Sequence, residues 1–194
     1  VVRRVGDYVA MVVAETENQA KDACELINVD YEPLPSVTDG EKALEPGAPA
    51  VWPDCPDNIC FLQTVGKKEE TDAAFAKATR IVRHKYIITR VMAATMEPRG
   101  CTGDYNKFDD SYTFYTTLQG VHPYRATLAA RVLKVPENKV RVVAIDVGGS
   151  FGMKSPIYPE GPLCLLASRT LGRPVKWTGD RSEAFLSDYG GRDN

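Results

Sequence analysis

Val140-Arg141-Val142-Val143-Ala144-Ile145-Asp146-Val147-Gly148-Gly149-Ser150-Phe151-Gly152-Met153-Lys154 is the stretch on which the reading of this chain turns. Its first half is an apolar, β-branched run that predicts a strand over 140–147. The second half sets three glycines around a single aromatic. Such a turn has two readings: the glycines serve a tight bend alone, or they let backbone N–H groups approach a bulky anionic or oxo ligand. It is not a nucleotide loop of either common kind. The phosphate loop needs Gly-x-x-x-x-Gly-Lys-Ser/Thr and the dinucleotide fingerprint needs Gly-x-Gly-x-x-Gly, and neither spacing is present.

Downstream, Pro159 stands near the first turn of a predicted helix with Leu163, Leu166, Ala167 and Leu171 on one side. Gly172 suits its C′ position, Pro174 stops continuation, and Val175 to Trp177 open another strand. Upstream, Pro136 ends a helix over 124–133 with Leu128, Ala129, Val132 and Leu133 at helical spacing, and Tyr112 to Thr117 reads as a strand. Residues 79–92, with Ile81, Val82, Tyr86, Ile87, Ile88 and Val91, read as a further extended strand. A short helix is expected over 69–78, capped by Thr71 or Asp72. Residues 36–66, broken by Pro46, Pro49, Pro53 and Pro56, are a connector. Before it, 8–14 read as a buried strand. Thr16 and Gln19 form a capping box; Ala20, Ala23, Cys24 and Ile27 share a helical face, and Pro33 and Pro35 end regular structure. Strands and helices alternate throughout, so the fold class is α/β to α+β with a mixed sheet.

The 194 residues allow one or two domains. Lys plus Arg number 24 against 26 Asp plus Glu, with no basic block, which argues against a nucleic-acid partner. Apolar runs fall short of the ~20 residues that span a bilayer, so no membrane partner is expected and a cytoplasmic location is the default. Five dispersed cysteines without Cys-x-x-Cys, and two histidines far apart, argue against a disulfide framework, a cluster or a histidine metal site held by this chain alone. The opening Val1-Val2-Arg3-Arg4 and the closing Gly191-Arg192-Asp193-Asn194 suggest an internal fragment.

Several segments together resemble the molybdopterin-binding large subunit of the molybdenum hydroxylases, the xanthine dehydrogenase, aldehyde oxidase and aerobic carbon monoxide dehydrogenase family. Residues 3–35 look like the end of its a/b hammerhead domain. Met96-Glu97-Pro98-Arg99-Gly100-Cys101, Thr117-Leu118-Gln119-Gly120 with Pro123 and Arg125, and the turn ending in Lys154 follow in the family's order. The resemblance implies the C-terminal part of a hammerhead domain over 1–36, an interdomain connector over 37–66 and the N-terminal part of a molybdenum cofactor-binding domain over 67–194.

It also implies an oxidoreductase that hydroxylates an aldehyde or N-heterocyclic carbon with water-derived oxygen. The alternatives are a carbon monoxide dehydrogenase-type subunit, or an inactive structural or binding fragment. The implied cofactor is Mo-molybdopterin or its cytosine dinucleotide form, with 2Fe-2S and FAD on other domains or subunits. Partners would be a small-molecule substrate, those iron–sulfur and flavin units and the remainder of the large subunit.

By the same resemblance, Gln119 is expected to hydrogen-bond near an oxo ligand of molybdenum. Gly149, Ser150, Phe151 and Gly152 are expected to pack against the metal face and pterin, with Phe151 as a core anchor the plainer alternative. The family's catalytic glutamate lies beyond this chain. Glu97 and Arg99 read as a structural pair, Lys154 either steadies the turn or faces solvent, and Arg125 is a surface or interdomain contact. Ser155 stands where purine-oxidising members carry a glutamate, which disfavours xanthine.

Overall fold

A hairpin of Gly100–Asn106 (β1) and Ser111–Thr116 (β2) forms the centre of a mixed sheet. Val140–Val143 (β3) joins β2 in parallel, and Val175–Thr178 (β4) joins β1 antiparallel, giving the order β3-β2-β1-β4. In this computed structural model residues 1–191 are described. They fall into two units, Val1–Ile27 with the chain from Ile87 onward, and Asn28–Tyr86.

Register puts Gly103 opposite Phe114 and Tyr105 opposite Tyr112, while Val175 and Val142 flank the same row. Because side chains alternate along a strand, Cys101, Gly103, Tyr112, Phe114, Val140 and Val175 all lie on one face and are buried there. Glu160–Leu171 (α4) covers that face. It approaches through glycine contacts: a Cβ on Gly103 would lie 2.7 Å from the Leu165 amide nitrogen, and one on Gly161 would lie 2.6 Å from Phe114 Cζ. Val121–Thr127 (α3) continues as a wider π-turn over Leu128–Leu133, where Leu128 and Ala129 are fully buried. Glu17–Glu25 (α1) and Arg181–Ser187 (α5) complete the first unit.

Local signals hold well. Thr16 and Gln19 make the capping box, with the Gln19 amide donating to Thr16 Oγ1 at 3.3 Å and the Thr16 amide to Gln19 Oε1 at 3.1 Å. Gly172 ends α4 in the left-handed region at φ 67°.

Four expectations change. The buried side of α4 is Gly161, Cys164, Leu165 and Ser168, whereas Leu166 and Leu171 are more than half exposed; small residues are needed where the helix meets the sheet. Residues 8–14 and 79–92 form no ladder, apart from mutual 2.8 Å backbone bonds between Val91 and Gly191. Their β-branched residues favour an extended chain, but a strand also needs a hydrogen-bonding neighbour. The strand expected over 140–147 pairs only as far as Val143, because the partner β2 residue Tyr115 is its last in register. β1 and α5, in turn, are elements that the sequence reading did not assign.

In the second unit, Lys68–Lys77 (α2) starts earlier than the expected cap residues. Thr71 donates back to the Lys67 carbonyl at 2.8 Å, and Asp72 pairs with Lys68, so neither is a cap. One side chain ties three points of the connector together. Asn58 accepts from the Val51 amide at 2.8 Å and donates to the Ala43 and Pro49 carbonyls at 3.0 and 3.1 Å.

Candidate functional site

The glycine turn leaves the end of β3 and is fixed from below by a segment more than fifty residues earlier in the chain. The Gly148 amide donates to Glu97 Oε2 at 2.8 Å, and the Glu97 amide returns a bond to the Gly148 carbonyl at 3.2 Å. Only glycine fits this contact, since a Cβ at 148 would lie 2.4 Å from Glu97 Cβ. Lys154 then runs back under the turn, fully sealed, and its Nζ donates to the same Glu97 oxygen at 2.8 Å. Burial pulls the Glu97 carboxyl upward, but the Lys154 ammonium and the Gly148 amide outweigh it and hold it below its ordinary range. Of the two readings of Lys154, the structure selects the one that steadies the turn.

Inside the turn the backbone takes positive φ at Gly149 (94°), Phe151 (51°) and Gly152 (89°). The Met153 amide closes the turn onto the Ser150 carbonyl at 3.0 Å. This path throws the Phe151 ring outward, 80% exposed, so it anchors no core among the described residues. A left-handed conformation at a bulky residue is costly and persists only where surroundings impose it. Beside Phe151 lies an open cavity of about 440 Å³ lined by Met92, Gly152, Met153 and Tyr189 among others.

Gln119 follows β2 and reaches the same turn. Its backbone amide donates to the Lys154 carbonyl at 3.2 Å. Its Oε1 accepts from Ser150 Oγ at 2.8 Å and from Ser155 Oγ at 3.4 Å. Ser150 Oγ in turn accepts from the Lys154 amide at 3.2 Å. Two hydroxyls and the backbone bond to Lys154 thus hold the end of the Gln119 side chain against the turn. The Gln119 Nε2 donors meet no partner among the described residues, and the side chain is exposed. The structure therefore brings Gln119, Gly149, Ser150, Phe151 and Gly152 into one constellation. The donor it leaves free is the Gln119 amide, which suits an oxygen-rich cofactor whose metal is held by its own ligands.

A second network supports the site. Arg99 does not pair with Glu97, whose carboxylate is taken by Lys154 and the Gly148 amide. Instead the buried Arg99 binds Glu160, bonds Asp188 at 2.6 Å and Ser187 Oγ at 3.1 Å, and stacks 3.7 Å above the Tyr158 ring. Burial alone would lower the Arg99 guanidinium, but Glu160 and Asp188 drive it upward. The Tyr158 hydroxyl donates to the Met153 carbonyl at 2.9 Å, so this network reaches the turn; burial pushes the phenol up to about 12. Glu160, Asp188 and Tyr158 went unnoticed in the sequence. Glu160 follows a proline at a helix start, where an acidic residue already suits the helix dipole, so no signal pointed to Arg99.

Arg125 lies in the last turn of α3, pairs with Glu137 at 2.8 Å and touches no part of the turn. Cys101 and Cys164 are buried with sulfurs 3.8 Å apart. Their mutual hydrogen bond, then burial, raises the Cys101 thiol.

Residues 51–194 match the molybdopterin cofactor-binding domain, and residues 1–35 match the a/b hammerhead domain of aldehyde oxidase and xanthine dehydrogenase. The chain belongs to the molybdopterin cofactor-binding family of the molybdenum-dependent oxidoreductases. It is 38% identical to the carbon monoxide dehydrogenase large chain of Afipia carboxidovorans, over 93% of this chain and 24% of that one. With the nicotine 6-hydroxylase large subunit of Paenarthrobacter nicotinovorans it shares 37% identity, over 96% and 22%. The solved CO dehydrogenase from Oligotropha carboxidovorans superposes with a TM-score of 0.82 at 34% identity, covering 91% of this chain and 23% of that chain. This chain thus spans about a quarter of the length of these relatives. No helix among the described residues is long and apolar enough to cross a membrane.

Proposed function

We propose that this chain forms one wall of the molybdenum site of a larger oxidoreductase subunit that hydroxylates an aldehyde or N-heterocyclic carbon with oxygen from water. Its electrons would pass to iron–sulfur and flavin centres on partner domains or subunits. In this reading, 1–36 close the hammerhead domain, 37–66 connect, and 67–194 begin the cofactor domain. The observation that carries it is the fixed Gln119 amide, whose two N–H donors are presented beside an exposed Phe151 on a rigid glycine turn.

When bound, the molybdenum cofactor supplies the two-electron redox chemistry; the protein supplies binding, orientation and electrostatics. Gln119 Nε2 would donate to a cofactor oxygen without changing the charge of the site. Ser150 and Ser155 hold its carbonyl end, so little is lost in ordering the amide. Phe151 would cover one face of the pocket and exclude water. The sealed Lys154 ammonium, paired with Glu97, keeps the turn in place when the pocket fills.

A second reading is carbon monoxide oxidation, favoured by the similarity to carbon monoxide dehydrogenase in both sequence and structure. Copper analysis and CO turnover by the full-length protein separate it from hydroxylation of aldehydes and N-heterocycles.

Gln119→Ala in the full-length protein tests the site. Loss of one polar contact next to a metal ligand lowers metal affinity or activity about 10- to 100-fold. The expected result is that loss in kcat or in bound molybdenum, with unchanged folding. Wild-type turnover and molybdenum content in the variant would refute the assignment.

A further inference from the structure

Two of the walls of the open cavity beside Phe151 come from distant parts of the chain. One is the glycine turn, with Phe151, Gly152 and Met153; another is the segment after α5, with Tyr189, Gly190 and Gly191. A single hydroxyl joins them. Tyr158 Oη donates to the Met153 carbonyl at 2.9 Å and accepts from the Tyr189 amide at 3.1 Å. Among the described residues, neither of these two backbone groups has another hydrogen-bond partner.

We infer, on the reading of this turn as one wall of the molybdenum site, that Tyr158 is a positioning residue. Its hydroxyl ties the glycine turn to the segment after α5 and so fixes the width of the cavity beside Phe151. A hydroxyl suits the place because one atom gives a proton and accepts another. Burial pushes the phenol up to about 12, so it keeps the proton it donates.

The ring is held as well as the hydroxyl. Tyr158 is 8% exposed, and the Arg99 guanidinium stacks 3.7 Å from its centroid. Arg99 is itself held by Glu160 and by Asp188, the residue before Tyr189, and Tyr8 bonds the same Glu160 carboxylate. The Tyr189 ring packs against that of Tyr158 with centroids 5.0 Å apart. Arg99 thus anchors residue 188 through its carboxylate, Tyr158 anchors residue 189 through its amide, and the two anchors stack on each other. On the other wall, a shift of the Met153 carbonyl reaches Phe151 through the bond from the Met153 amide to the Ser150 carbonyl.

Tyr158→Phe in the full-length protein keeps the ring and the Arg99 stack and removes only the hydroxyl. Hydrogen exchange of the Tyr189 amide and of the turn amides from 151 to 155 should speed up roughly 2- to 10-fold, as the loss of one hydrogen bond gives. The amides of β1 and β2 should change less. Molybdenum content should stay at the wild-type level while the Mo(V) electron paramagnetic resonance of the partly reduced protein shifts, which a merely structural role would not produce. Unchanged exchange at either wall, equal acceleration across turn and sheet, or an unshifted signal at full molybdenum content would each overturn the inference. A wild-type protein without molybdenum would overturn the site reading alone, because the exchange pattern decides the tie between the walls without the metal. Should the variant fail to fold, a crystal structure of the wild-type protein decides. Tyr158 Oη within about 3.2 Å of both the Met153 carbonyl and the Tyr189 amide supports the tie, and contact with one or neither overturns it.

Discussion

Replacing Lys154 by Met keeps most of the buried stem and removes only the ammonium. The wild-type ammonium is sealed from solvent and sits 2.8 Å from Glu97 Oε2, while the Glu97 side chain is 35% exposed. Breaking an ion pair with both partners sealed costs about 3–5 kcal/mol, since a charge is left without a partner. Here water can take over much of the Glu97 charge, and the Gly148 amide stays on it, so the loss should shrink to roughly 1–3 kcal/mol.

The loss falls on the turn, and hydrogen exchange of the amides from 148 to 155 reads it locally. Exchange through local opening should speed up roughly 5- to 150-fold. The same substitution in a Glu97→Gln background isolates the pair from simple packing. If Lys154→Met leaves exchange within a factor of about two, or costs as much in the Glu97→Gln background as in the native one, the support mechanism is refuted.

Because the folded Glu97 carboxyl lies below its ordinary value of 4.5, its contribution is complete above about that pH and is lost as pH falls through the folded value. Acid unfolding should therefore show a limb that Glu97→Gln flattens, read from unfolding midpoints between about pH 3 and 7. Arg99→Lys keeps one charge but loses the planar fork that serves Glu160, Asp188 and Ser187 and the stack on Tyr158. Thermal unfolding should register a loss of roughly 2–4 kcal/mol. Gly103→Ala drives a methyl into α4 backbone at 2.7–2.8 Å, which only lifting the helix relieves, and should cost at least about 1–3 kcal/mol in denaturant unfolding. Gly40→Ala meets nothing within 4 Å and should shift the same measurement by less than about 0.5 kcal/mol.

The site was legible in proportion to how local its signals are. Three glycines around Phe151 marked the turn, and two of them, with Phe151, do adopt positive φ. The third, Gly148, is required for a different reason, the approach of Glu97. Gln119 was found through resemblance, because nothing in Thr117-Leu118-Gln119-Gly120 indicates which hydroxyls will hold its amide. The strands expected over 8–14 and 79–92 show the reverse failure. Their composition states a preference for extended backbone, while pairing belongs to the neighbour.

By itself the sequence determined what depends on a few consecutive residues: the capping box at Thr16 and Gln19, the glycine stop at 172, the mixed α/β class and the family. These rest on hydrogen bonds and φ preferences that span about one helical turn. Tertiary structure alone decided the partners. Glu97 meets Lys154 across 57 residues, and Arg99 meets Glu160 and Asp188 across 61 and 89. It also chose the small-residue side of α4 over the leucine side. Such choices follow from which surfaces the folded chain brings into contact, and a charge along the sequence carries no mark of the opposite charge that will neutralise it.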